Sequence, residues 1–596
     1  MINQAFFGII LMLMKIESAD QLSAVKLASR LTLATLVLLP LVYTPGFGSY
    51  TALRYFFFGT VCLILGLTIA WLWLKIPSIA KSFFKNRLNL GLLAYLLAML
   101  IVSFTSVDIA ASFFSSFQRT IGTFSYIFAA IFALNIYTLI ALKGREFISK
   151  LLQASVIGAA LLSVLIMLFT YHTQGTWFEA AVGGGTVGNS SLAAAYVLWN
   201  IFFGGILILG SQTAKRKITW AIPTLLILAS PLFLNWHFHF TSARSLSHLI
   251  TARGAAIGLI LGIVVALLLW LFWQPAGSKK YLGRVGLFII GAGLLFTCLQ
   301  LLNPSGFLHQ QFAAVAGDNR FIFWEIALKA FKIHPILGWG PYTFNIPYQT
   351  FYDPKMAALP NPELWVDLPH NLIFGTLASG GIVLLAGLAF FLYSIIAALF
   401  KARKNGQISP LIAGLFIGSV LAWLIQAQFV FESILSIAML FLVAGIVSNL
   451  TAAEPANFDV RRLTGWKKTF YAALILAVVV LFVHSVGSPF RKARAMFSIL
   501  PTHLPARTAL WEQLSEGSQM GDNIDSILLF RDLRDQYQSE DERLRTADMA
   551  ERQAASDELD AAVSYLASVA ANKKYSYEFA LLGAQLSYER MLIANN

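Results

Sequence analysis

Four arginines and one histidine stand out of an otherwise apolar chain. They are Arg119 in SSFQRTIGTF, Arg244 in FTSARSLSHL, Arg253 in HLITARGAAIGL, Arg320 in AGDNRFIFWEIAL and His370 in VDLPHNLIFGTLASGG. A guanidinium fork matches phosphate oxygens in a bidentate way that an ammonium does not. Arg253 heads an apolar helix, with the small residues Gly254, Ala255 and Ala256 behind it. A helix start offers free N–H groups and a positive dipole end, so an arginine there makes a seat for an anion such as a diphosphate. The alternative for these arginines is pairing with Glu179, Asp318, Asp353 or Asp367. His370 follows Pro369 and precedes Asn371, which puts it on a pinned turn at a helix start. Its imidazole is either a hydrogen-bonding cap or a base for a hydroxyl proton. Asn371 caps that helix or orients the imidazole or a substrate.

The elements that position these groups are membrane helices. The 596-residue chain is 58% hydrophobic and 12% charged, with mean hydropathy +0.70. Soluble domains run at about 45–50% apolar and about 25% charged. The +14 formal charge lies in short basic clusters between apolar runs, a distribution of topology signals and not of nucleic-acid binding. Cys62 and Cys298 sit in apolar runs and imply no disulfide framework. CxxC, HExxH, Walker and GxSxG motifs are absent, and the HFH at 237–239 has a spacing unsuited to a metal, so neither metal nor cofactor is expected. GGGTVGNSS (183–191), which contains Asn189, reads as a glycine-rich turn opening the next helix.

A span needs about 20 mostly apolar residues. Thirteen segments meet this, within a range of twelve to fourteen: near 29–45, 54–74, 88–107, 119–142, 148–171, 190–210, 218–236, 254–273, 284–303, 371–399, 409–430, 433–450 and 469–486. Alternate loops hold 23 lysines and arginines against eight on the other side. The positive-inside rule makes the first set cytoplasmic, the N-terminus internal and the C-terminus external. Residues 1–28 then form a cytoplasmic segment with an interfacial helix at 6–14, and 29–486 form the membrane domain. Within it, 304–370 is one long external loop with eight of the 19 prolines and many aromatic residues, which argues for a folded lid with short helices. Residues 487–596 are polar and read as a small external helical domain, weakly tetratricopeptide-like and suited to docking a protein partner.

Five stretches occur in order on the same face: SFQRTIGTF, GGTVGNSSLAAAYVLWN, TARGAAIGLILG, DNRFIFWEIALKAFKIHPILGWGPYTF and LPHNLIFGTLASGGI. Together they resemble the bacterial O-antigen ligase/polymerase superfamily of membrane glycosyltransferases over about residues 90–450. The resemblance implies an all-α polytopic fold of the GT-C-like kind in the bacterial inner membrane. It also implies inverting, metal-independent transfer of a glycan from undecaprenyl diphosphate to a hydroxyl of lipid A core, a growing glycan or a protein. By the same resemblance Arg253 and Arg320 hold the donor diphosphate, with Arg119 and Arg244 behind them, and His370 is the general base supported by Asn371. Gly338, Trp339, Gly340 and Asn189 shape the loop and substrate surface. The sequence departs from the family at GNSS (188–191), where many members have GNPN, and at Ala252-Arg253, where serine often precedes the arginine. Ser242-Ala243-Arg244 lies nine residues earlier, so either arginine fits the seat. Ligase-type transfer is the first reading; a polymerase or protein O-oligosaccharyltransferase is the second. A lipid-linked glycan flippase is the rival from another class, and it requires polar residues through the segment middles.

Overall fold

The computed structural model describes residues 21–43, 51–172, 184–230, 252–316, 319–359, 366–452, 464–499, 547–571 and 577–594, with further positions at 363, 514 and within 529–544. Arg244, the HFH triplet and the expected interfacial helix at 6–14 lie outside the described residues. The described secondary structure is helical throughout. The first part of the chain forms α1 (Gln21–Leu38), α2 (Ala52–Lys75), α3 (Pro77–Lys85), α4 (Arg87–Phe104), α5 (Ile109–Phe114), α6 (Thr123–Lys143), α7 (Glu146–His172) and α8 (Ser190–Gly210). The middle forms α9 (Ala214–Leu228), α10 (Arg253–Phe272), α11 (Ser278–Leu302), α12 (Phe307–Ala316), α13 (Asn319–Ile333) and α14 (Asn345–Thr350). The last part forms α15 (Leu372–Lys404), α16 (Pro410–Gln426), α17 (Ile434–Thr451), α18 (Trp466–Phe482), α19 (Ser488–Ile499), α20 (Met549–Ala571) and α21 (Tyr577–Ala594).

Ten of these units are long and apolar enough to cross a membrane: α2, α4, α6, α7, α8, α10, α11, α15, α17 and α18 continued into α19. Each of the thirteen expected segments overlaps a helix; the other three are α1, α9 and α16, which are shorter or more polar. Helix α1 starts at Gln21, eight residues before the expected span start, so Lys26 and Arg30 belong to the helix. The last expected span ends at 486, but the helix runs on through a π-turn at Val483–Gly487. The split expected around Glu432 is real: Ala427–Ser433 separates α16 from α17.

Helix α17 is buried along nearly its whole length, whereas α11 presents Phe288, Ile289, Leu295 and Leu299 outward, as a lipid-facing helix must. Small residues let α10 and α16 approach at backbone distance. A Cβ on Gly262 would stand 2.6 Å from the Gly418 carbonyl, and one on Gly258 would stand 2.5 Å from that of Ala422. This spacing of four along both helices is how apolar helices associate where water supplies no driving force. Two polar pairs inside the bundle join distant helices: Asn135 donates to Thr32 at 2.6 Å and Ser155 to Asn200 at 2.6 Å. The buried Arg54 donates to the carbonyls of Leu39, at the end of α1, and Thr186, at 3.1 and 2.6 Å. A guanidinium there satisfies carbonyls that the helix end leaves open.

Helix α15 is not one continuous helix. At Gly381 the backbone turns to φ 56°, ψ −152°, which breaks the i to i−4 ladder. The freed groups are taken up by the segment between α13 and α14. Trp339 N–H donates to Ala378 O at 3.0 Å and Gly340 N–H to Ser379 O at 2.7 Å. In return, Ile382 and Val383 N–H groups donate to Pro335 and Ile336 carbonyls at 2.9 and 3.2 Å. Irregular backbone at membrane depth is tolerated only when protein satisfies it in this way.

Candidate active site

Four helices start or end around one short turn. Leu372, the first residue of α15, donates its N–H to Ala427 O at 2.8 Å, and Asn371 Nδ2 donates to Gln428 O at 3.2 Å. Gln426 closes α16 and donates to Ser191 O at the start of α8 at 3.2 Å. Gly254, the second residue of α10, packs so closely on Gln426 and Phe429 that a Cβ would meet the Gln426 Oε1 at 2.5 Å. The 426–432 turn is therefore the seat on which the starts of α8, α10 and α15 are fixed.

Asn371 is an N-cap: its Oδ1 accepts from the N–H groups of Ile373 and Phe374 at 2.9 and 3.0 Å. With its Nδ2 committed to Gln428, both ends of the amide are occupied by the scaffold. His370, just before it, adopts φ 54°, a conformation that non-glycine residues rarely take and that the cap and turn together impose. Trp324 of α13 fixes the preceding residue by donating to Pro369 O at 3.1 Å. The imidazole lies edge-to-face on Phe431, with ring centroids 5.1 Å apart, and near Phe323 at 5.9 Å.

His370 Nδ1 is 3.0 Å from Leu368 O, and a carbonyl only accepts, so Nδ1 carries the proton and Nε2 keeps its lone pair. Burial lowers the imidazole pKa to about 4; Asp367 pulls it up while Arg320 and Arg119 push it further down. His370, Asp367, Arg119 and Arg320 thus form one electrostatic cluster. Arg119 grips Asp367 in a bidentate pair at 2.6 and 3.1 Å, and its guanidinium lies 4.0 Å over the Phe431 ring. Of the carboxylates expected to compete for the arginines, Asp367 holds Arg119. Arg320, in the first turn of α13, has its pKa lowered by burial, with Glu363 acting in the opposite sense. Arg253 is exposed at the head of α10, whose next residue, Gly254, packs on the 426–432 turn.

Between His370 and the bundle lies a small, partly open cavity lined by Tyr95, Tyr126, Tyr342, Phe431 and Glu432. Tyr126 and Tyr342 hydroxyls approach to 3.5 Å, and Trp423 donates to Glu432 at 3.3 Å. Burial raises the Glu432 pKa to about 7. Sequence reasoning used Glu432 only as a break between two spans, although a lone acid within QFVFESILSIAML is a signal in itself. The GWG residues bind the scaffold: Gly338 and Gly340 have φ 65° and 115°, and Trp339 donates to Ala330 O at 2.9 Å. Asn189 is the N-cap of α8, accepting from Leu192 N–H at 3.1 Å. Among the described residues, no group of three or more His, Cys, Asp or Glu is arranged to hold a metal ion.

The fold and site define a class: an all-α, multi-pass membrane protein with a polar, arginine-rich site at one end of its bundle. Residues 248–389 match the family profile described as O-antigen ligase, in agreement with the superfamily that the motifs resemble. The matched stretch carries Arg253, Arg320, Gly338–Gly340, His370 and Asn371; Arg119 precedes it and Glu432 follows it. No curated protein matches the chain.

Proposed function

We propose that the protein is an O-antigen ligase-like glycosyltransferase of the bacterial inner membrane. It moves a glycan from undecaprenyl diphosphate to an acceptor hydroxyl on the external side. The observation that supports this best is the joining of His370, Arg119 and Arg320 in one electrostatic cluster, with His370 itself lining a partly open cavity. The acceptor oxygen attacks the anomeric carbon as the bond from that carbon to the diphosphate oxygen breaks, with inversion. The hydroxyl proton passes to His370 Nε2, the nitrogen that Leu368 leaves free. Arg320 and Arg253 stabilise the charge that develops on the departing diphosphate, in the position where other enzymes place a divalent cation. Arg119, committed to Asp367, keeps the loop in register and adds field. Asn371 holds His370 in place through the α15 start.

Purified protein supplied with a lipid-diphosphate glycan and either lipid A core, a protein acceptor or a second donor separates the ligase, protein-glycosylating and polymerase readings. Transfer to lipid A core is the expected result. His370→Ala abolishes transfer with each acceptor and leaves donor binding intact; full activity of that variant removes the base assignment.

A further inference from the structure

We propose that the opposite, basic end of the bundle holds a binding site for an anionic phospholipid, in the cavity bounded by α3, α4 and α15. Lys401 in the last turn of α15 lies 29 residues from the helix start beside His370, on the far side of the break at Gly381. The cavity, of about 880 Å³, is lined by Lys81 and Lys85 of α3, Arg87 at the head of α4, and Lys401. None of its described lining residues is an aspartate or glutamate. These four cations make no ion pair among the described residues. Like charges gathered without counter-charge repel one another, and a phosphate placed among them turns that repulsion into attraction.

Two further features point to a ligand with a polar head and apolar tails. The hydroxyl of Ser78, a lining residue in the first turn of α3, is buried and without a hydrogen-bond partner. Beside the cations, Leu90, Phe390 and Tyr393 form a wall that is 45%, 45% and 68% exposed, an apolar surface suited to acyl chains and of no use to a free phosphate. Helix α3 itself is nine residues long, too short to cross a bilayer, and follows the proline at its first position. It buries Ile79 and Phe83 in the bundle and turns Phe84 outward, the habit of a helix lying in the head-group layer. Basic pockets between membrane helices recognise anionic head groups through the same combination of charge and apolar wall.

Native mass spectrometry of the full-length protein in neutral detergent, titrated with phosphatidylglycerol or phosphatidylcholine, tests this site. Wild type is expected to retain phosphatidylglycerol at least five-fold over phosphatidylcholine, and the triple variant Lys81→Gln, Lys85→Gln, Lys401→Gln to bring that ratio near one. The pair Lys279→Gln, Lys280→Gln, near the same end but outside the cavity, keeps the wild-type ratio. Retained preference in the triple variant overturns the site. Equal loss in the control pair overturns it too, since that shows diffuse charge. Displacement of the lipid by excess inorganic phosphate also overturns it, because a phosphate site needs no tails. Should the triple variant fail to fold, Lys85→Gln and Lys401→Gln alone each halve the ratio; no change in either rejects the proposal.

Discussion

At His370, two environmental effects set what the imidazole can do. Burial and the two arginines keep it neutral, with pKa about 4 against an ordinary value near 6.5. A neutral imidazole is the form that accepts a proton, so kcat/KM is expected to rise with pH through about 4 and to be flat towards neutrality; a limb near 6.5 contradicts the burial. The stability sign follows from the same shift. Above 6.5 the folded and unfolded states are both neutral; from 6.5 down to about 4 only the unfolded state gains the proton, so stability falls as the solution is acidified. Glu432 runs the other way. Its pKa of about 7 lies above the ordinary carboxylate value, so the folded state loses stability as pH rises from about 4.5 to 7. Glu432→Gln removes that loss: in detergent its Tm exceeds that of wild type at pH 8 and matches it below pH 4. Equal Tm values at pH 8 show that the carboxylate is solvated. For the arginines the expected readout is donor affinity. Arg253→Ala and Arg320→Ala each weaken donor binding about tenfold, the size of losing a charge-assisted hydrogen bond of about 1.4 kcal/mol; unchanged affinity in both removes the diphosphate seat.

At the scale of elements, the site depends on how α15 begins and where it breaks. The Asn371 side chain caps its start and ties it to the 426–432 turn. Asn371→Ala is expected to cost about 1 kcal/mol, with Asn371→Asp restoring most of the cap but not the bond to Gln428. The break at Gly381 depends on the absence of a side chain as well as on its positive φ. A Cβ there would stand 2.5 Å from the carbonyls of Pro335 and Ile336. Gly381→Val therefore releases the 335–340 segment from α15 and with it the register of α13, which carries Arg320 and Trp324. Loss of transfer together with a lower Tm is the expected pair of outcomes, and wild-type values for both contradict the docking. The glycines of the GWG motif act in this same joint. Their effect on substrate passes through the shape of α15.

At the scale of the molecule, the basic cavity of α3, α4 and α15 and the arginine-histidine cluster lie at opposite ends of one bundle. The C-terminal helices α20 and α21 pair with each other, and Lys492 of α19 reaches to 5.5 Å over the Tyr565 ring of α20. That contact ties the polar tail to the last membrane helix. The proposed orientation is tested by cysteine labelling in spheroplasts of a variant with Cys62 and Cys298 replaced by alanine. Lys355→Cys is expected to react with an impermeant maleimide directly, and Asn405→Cys only after permeabilisation. Equal labelling of both before permeabilisation rejects the orientation.

The all-α, multi-pass character of the chain and its O-antigen ligase-like motifs were legible in the sequence, and ten of the thirteen expected segments return as helices long and apolar enough to cross a membrane. Hydropathy, charge asymmetry and proline content act locally, so they can be read along the chain. The neighbours that decide how the candidate site residues behave could not be read that way. Asp367 and Arg119 are 248 positions apart, and their bidentate pairing arises from folding alone. Glu432 joins the cavity of His370 because α16 and α17 bring it there. The exchange of backbone hydrogen bonds across Gly381 needs two segments that meet only after the bundle forms. The sequence by itself determined that the chain is an all-α, multi-pass membrane protein with O-antigen ligase-like motifs. The tertiary structure decided that His370 is buried with Nδ1 on the Leu368 carbonyl and with Asp367, Arg119 and Arg320 acting on it, because burial and the field of distant charges are set by packing in three dimensions.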